Sequence, residues 1–181
     1  MPKKSFILKF EIISTIFIMI VGTLLHFTFG WSNNNPLVGT FSAVNESTWE
    51  HLKLLFFPML ISTIIGFSYK GKVIPNYLCA KVLGIISAMF FVVIFFYTYV
   101  GIIGTNFAIV DIGSFFIAGF LSYYYSYKKI VTKKYRSNCT LFSILSIVIL
   151  FGSFILFTLV PPKIGIFNDP ITNTYGIFKI K

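Results

Sequence analysis

Long apolar runs separated by short polar stretches set the pattern of this chain. A helix needs about 20 apolar residues to cross a bilayer. Five segments reach that length, at about 6–29, 48–69, 78–103, 107–127 and 140–160. Pro58 falls inside the second and can kink it, and Pro161-Pro162 stops the fifth. The first follows Lys3 and Lys4, as a secretory leader would. Its apolar stretch is too long for a leader's hydrophobic region and no small-residue cleavage site follows, so it reads as a retained helix. The pattern predicts an all-α fold, a polytopic membrane helical bundle of five transmembrane helices forming a single membrane domain over 1–181. A tail over 161–181 alternates apolar residues with turn residues and is expected to pack near the outer mouth of the bundle.

Composition agrees with that pattern. Of 181 residues, 56% are apolar, 23 are Phe and only 11% are charged. A soluble domain of this size cannot bury so much apolar surface. The net charge of +10 would point to nucleic acid in a soluble protein. Here the basic residues sit in short clusters between apolar runs, so the lipid bilayer is the expected partner and nucleic acid is not. Lys3, Lys4 and Lys9 precede or open the first helix. Lys70, Lys72 and Lys81 surround the second loop, and Lys128, Lys129, Lys133, Lys134 and Arg136 follow the fourth helix. The 30–47 and 104–106 connections have neither Lys nor Arg. This alternation places the N-terminus in the cytoplasm and the C-terminus outside. Lys163, Lys179 and Lys181 in the tail run against it mildly. Trp31 and Trp49 fall at the outer interface, where amphipathic rings settle. Cys79 and Cys139 each begin an apolar segment on the reducing side, with no CxxC pair, so both read as small buried residues without a disulfide. No internal repeat is visible, and an odd helix number argues against an inverted-repeat transporter.

The acidic residues change the picture. Four of five, with both histidines, fall on the outer side. Glu46 and Glu50 lie on one stripe as the second helix opens, at its positive end. Ser47 is placed to cap that helix, with Glu50 completing a capping box and Lys53 pairing with Glu50. His51 points about 100° away from Glu50. His26 lies near the outer end of the first helix on a face with Thr15, Met19, Gly22 and Thr23, which marks a helix contact. Asp111 lies near the outer end of the fourth, on a face with Ser114, Ala118 and Ser122. Asp169, between Asn168 and Pro170, reads as turn chemistry or part of a lid. Imidazole and carboxylate are the ligands of catalytic divalent ions such as zinc. His26, Glu50, His51 and Asp111 are therefore the candidate metal ligands, with Glu46 as general base. There is no HExxH, GxSxG, P-loop or dinucleotide turn.

The stretch from Asn45 to Lys53, with His26 upstream and the tail pattern Pro161-Pro162, 167–170 and Tyr175-Gly176, resembles an uncharacterised family of small bacterial integral membrane proteins, classed as a domain of unknown function. The resemblance covers nearly the whole chain. It implies a multi-pass protein of a bacterial plasma membrane and supplies no activity. Three readings stay open: a membrane-embedded metal-dependent hydrolase, a proton- or cation-coupled transporter subunit, and a non-catalytic partner-binding or immunity-type protein.

Overall fold

The computed structural model describes residues 3–132 and 139–177. The charges of Lys133, Lys134, Arg136, Lys179 and Lys181, used above, lie outside the described residues. Five helices are long and apolar enough to span a membrane: α1 (Lys4–Trp31), α3 (Thr48–Tyr69), α4 (Tyr77–Ile103), α5 (Ala108–Thr132) and α6 (Cys139–Leu159). A one-turn helix, α2 (Pro36–Gly39), interrupts the 32–47 connection, with Asn35 capping it by accepting from Leu37 N at 2.9 Å. α5 runs on to Thr132 because its last turns are Tyr and Lys residues, whose long stems stay apolar while their tips reach water.

α3 is the hub. All of its residues from Leu52 to Leu60 are buried, whereas α6 buries only Ser143, Phe154 and Thr158. Ile18, Leu55, Phe56, Met59, Ile85, Ala118 and Phe154 form a layer across mid-bundle with almost no exposure. The outward stripes are apolar instead, as with Ile13, Ile16, Ile20 and Leu24 on α1. That inversion of the soluble pattern is what a lipid surround demands.

One close approach explains how α1 seats on α3. Pro58 has no N–H, so the Leu54 carbonyl one turn back loses its helical donor. Gly22 of α1 packs against that carbonyl: a Cβ built there would stand 2.6 Å from Leu54 O and 2.6 Å from the Phe115 ring. Small residues at such crossings let backbones touch. Backbone cannot rotate aside as a side chain can. Gly22→Ala is therefore expected to lower stability by about 1–3 kcal/mol, read as an earlier denaturant midpoint in micelles. An unchanged midpoint would contradict this contact.

Each end of the bundle holds a buried ion pair. At the lysine-rich end Lys81 donates to Glu11, which also accepts from Ser126 at 3.2 Å, and Tyr123 donates to Ser62 at 2.9 Å. At the histidine end Lys53 donates to Glu50. The apolar layer separates the two, so among the described residues they form no continuous polar file.

Cys79, in the first turn of α4, is joined to Cys139, the first residue of α6 (Cα–Cα 5.7 Å). This corrects the expectation of unpaired cysteines. The two helices start side by side, which brings residues 60 apart in sequence into covalent reach. Short-range spacing such as CxxC carries no trace of that contact.

Candidate metal centre at the rim of the bundle

The connection between α1 and α3 is tied down at both ends, and this places Glu46. Buried Ser42 accepts from Phe29 N at 3.0 Å and from Thr28 Oγ1 at 2.8 Å, which fastens the loop to the last turns of α1. Val44 N donates to Glu50 Oε2 at 3.1 Å. Asn45 accepts from Ser47 N at 2.9 Å, an Asx turn, and donates through Nδ2 to Gly176 O of the tail at 3.0 Å. Ser47 then caps α3 by accepting from Glu50 N. The capping box is thus only half formed. Asn45 takes the Ser47 N–H, and the Glu50 carboxylate turns inward instead.

Within that frame His26, Glu46 and His51 converge. One ligand atom from each lies within 4.8 Å of the other two. His26 Nε2 is 3.6 Å from Glu46 Oε1, and His51 Nε2 is 3.4 Å from Glu46 Oε2. The two imidazole rings are 5.3 Å apart, centre to centre. These N···O separations exceed a normal N–H···O bond. The gaps run to different carboxylate oxygens; each is close to the spacing of two ligands on one tetrahedral zinc, about 3.4 Å for bonds near 2.0–2.1 Å, and small side-chain shifts would bring one atom from each residue to that spacing.

The orientation of His51 adds to this. Its Nδ1 lies 2.9 Å from the Ser47 carbonyl. A carbonyl only accepts, so Nδ1 carries a proton and donates it. Nε2 therefore faces Glu46 with either a second proton or a lone pair. A lone pair facing a carboxylate needs a cation between them. A ligating histidine whose other nitrogen donates to a backbone carbonyl is the usual arrangement at metal sites. In the metal-free protein, proton sharing with His51 holds the Glu46 carboxyl below the ordinary carboxylate range; burial pulls the other way, and the charges of His51 and His26 add to the lowering.

The other candidates are engaged elsewhere. Glu50 is buried, paired with Lys53 and within 3.1 Å of Thr158 Oγ1. Lys53 has no exposed surface and donates further to Gly39 O at 2.7 Å and Thr158 Oγ1 at 2.8 Å. Glu50 thus joins α3, α6 and the loop, with no oxygen turned to the trio. Asp111 accepts from Tyr99 and, at 2.9 Å, from Asn106 Nδ2, so it closes the α4–α5 turn. Its helical companions Ser114, Ala118 and Ser122 are buried against neighbouring helices. Asp169 accepts from Ile171 N at 2.9 Å and Thr172 Oγ1 at 2.7 Å within a tail turn. The tail reaches the site's frame through Asn45 and through Phe167, whose ring is 4.9 Å from that of Trp49.

Glu46, read from sequence as a general base, stands here as the residue between the two imidazoles. Two features of this arrangement were hidden in the chain: the roles of Ser42 and Thr158, and which acid faces the histidines. The Asn45-x-Ser47 turn was the one local signal that could have shown Glu46 being presented outward. Thr15 and Gly22 of the His26 face are buried, but Thr23 is exposed and His26 is half-buried at the flank. The trio therefore opens to the surroundings rather than into the core.

The model of a family described as being of unknown function matches residues 2–177. No curated protein and no solved structure matches the chain.

Proposed function

Because the chain belongs to the DUF6512 family, whose function is unknown, the trio's own geometry is what speaks to its role, and we propose that this multi-pass membrane protein binds a divalent metal ion through His26, Glu46 and His51. The observation that carries the reading is the pair of 3.4 and 3.6 Å gaps between Glu46 and the two Nε2 atoms, together with the Nδ1 donation that turns His51 Nε2 toward Glu46. Zinc is the first choice, since two imidazoles and one carboxylate are a zinc ligand set with an open fourth position. Ferrous iron takes the same donors in an open three-ligand site. In a plasma membrane with the N-terminus inside, the site faces the exoplasmic side.

Three protein ligands with an open position also suit activation of a bound water. A hydrolase needs a further base, and the nearby Glu50 is held by Lys53 and Thr158. Binding is therefore the function supported most strongly, and the open position is where a ligand would enter. Protons compete with the metal for the histidine nitrogens and the Glu46 carboxylate, so affinity rises with pH.

Elemental analysis tests this. Protein incubated with zinc and freed of excess should keep about one ion per chain, and the His26→Ala/His51→Ala double variant should keep none. Wild-type protein that keeps none, or a double variant that keeps as much, would overturn the reading. Analysis of the protein as purified identifies the ion it carries.

A further inference from the structure

Resting on the metal reading above, we infer that the open position of the metal receives the phosphate of an amphiphile drawn sideways from the outer leaflet. Three features of the site point that way. The first is depth. His26 lies five residues before Trp31 on α1, roughly 7 Å along the axis at about 1.5 Å per residue. Trp31 is strongly exposed, and an exposed Trp at a helix end settles at the membrane interface. The layer between water and hydrocarbon is roughly 5–7 Å thick on each side. His26 thus lies about one and a half turns inside the Trp31 level, at the inner border of the headgroup layer, with the part-exposed Glu46 carboxylate on its outer side.

The second feature is direction. On the face of α1 that carries His26, Thr23 and Gly30 are exposed while Gly22 and Phe29 are buried, and Phe27, the next residue round the helix, is exposed. Phe27 stands edge-on to His26 at 5.0 Å and stacks with Trp31 at 5.9 Å. Leu24 and Ile20, both exposed, continue that stripe toward mid-bundle. Behind the site α3 is closed, since every residue from Leu52 to Leu60 is buried. The opening therefore gives onto lipid, along an apolar track that begins beside a metal ligand.

The third is charge. A divalent ion held by one carboxylate and two neutral imidazoles keeps a net charge of about +1. Among the described residues, no second unpaired carboxylate joins the trio. Glu50 is neutralised by Lys53, Asp111 is held at the α4–α5 turn, and residues 30–45 contain no charged side chain. That loop has no Lys or Arg to bind a phosphate either, so the metal is the local anion receptor. A phosphate oxygen completes the tetrahedron while the acyl chain lies along Phe27, Leu24 and Ile20.

The test compares ligands that share a phosphate and differ in having a chain. Zinc-loaded protein in maltoside micelles is titrated with dioctanoyl phosphatidic acid, glycerol 3-phosphate and inorganic phosphate, with zinc-free protein as reference and zinc content measured separately. The lipid is expected to bind at least about tenfold more tightly than glycerol 3-phosphate, burial of even two methylenes being enough for that, and only when zinc is present. Phe27→Ser should bring the lipid's affinity down toward that of glycerol 3-phosphate while zinc content stays unchanged. Equal affinity for the three ligands, or lipid binding that ignores zinc, overturns the inference and leaves the metal reading standing. Protein that retains no zinc overturns both.

Discussion

Lys53→Met lowers the stability of this protein by about 3–5 kcal/mol, the cost of breaking a buried ion pair from one side. Lys53 is fully enclosed, and Glu50 is nearly so. Removing the ammonium strands the Glu50 carboxylate, and it also takes a donor from the Gly39 carbonyl and the Thr158 hydroxyl. Thr158 and Val44 N still face Glu50, but neither carries charge. The double variant Glu50→Leu/Lys53→Met removes both charges and should recover much of the loss, since apolar replacement of a whole buried pair is often neutral. Denaturant unfolding in micelles measures the pair of values. A single variant within about 0.5 kcal/mol of wild type, the usual range of a surface change, would contradict the burial described for this pair. Because Glu50 also holds Val44, the single variant should loosen the loop that presents Glu46, and zinc affinity should fall with stability.

The second large effect falls on the proposed metal site. His51→Ala, His26→Ala and Glu46→Gln each remove a donor from a three-donor site. Loss of a supporting residue around a metal costs about 10–100-fold in affinity, so loss of a ligand should cost at least about 100-fold. Competition against a chromogenic chelator reads it. Asp111→Asn is the discriminating control. Its carboxylate is occupied by Tyr99 and Asn106, so zinc affinity should not move. An Asp111→Asn variant as weak as His51→Ala would mean that the site is built on other residues. The three ligands should also behave alike, since each contributes one donor atom.

The membrane architecture was legible because it depends on run length alone. Five apolar stretches give five spans, and the spans found begin and end within a few residues of the runs in the sequence. The exception is the far end of α5, where tyrosines and lysines prolong the helix beyond its apolar run. The chain also shows that two histidines and several acids gather at one end. It does not show which acid faces which imidazole. Glu46 and Glu50 are one helical turn apart in pattern, yet Glu46 stands in the loop and Glu50 in the first turn of α3, so they point into different surroundings. That choice is made by Asn45, Ser42 and Thr158, three neutral side chains whose bonding partners are 2, 13 and 108 residues away. Asp111 looked like a ligand for the same reason it stands outside the trio: a carboxylate near a helix end needs a partner, and Tyr99, one turn-connection away, supplies it. The cysteine pair is invisible at short range, because its contact is a property of how α4 and α6 pack.

Zinc K-edge absorption spectroscopy on the zinc-loaded protein examines the first coordination shell itself. The structure predicts light-atom scatterers at about 2.0–2.1 Å with the outer-shell signature of two imidazole rings, falling to one ring in His51→Ala. A shell without imidazole scattering, or one containing sulfur at about 2.3 Å, would contradict the assignment of His26, Glu46 and His51 as the metal centre.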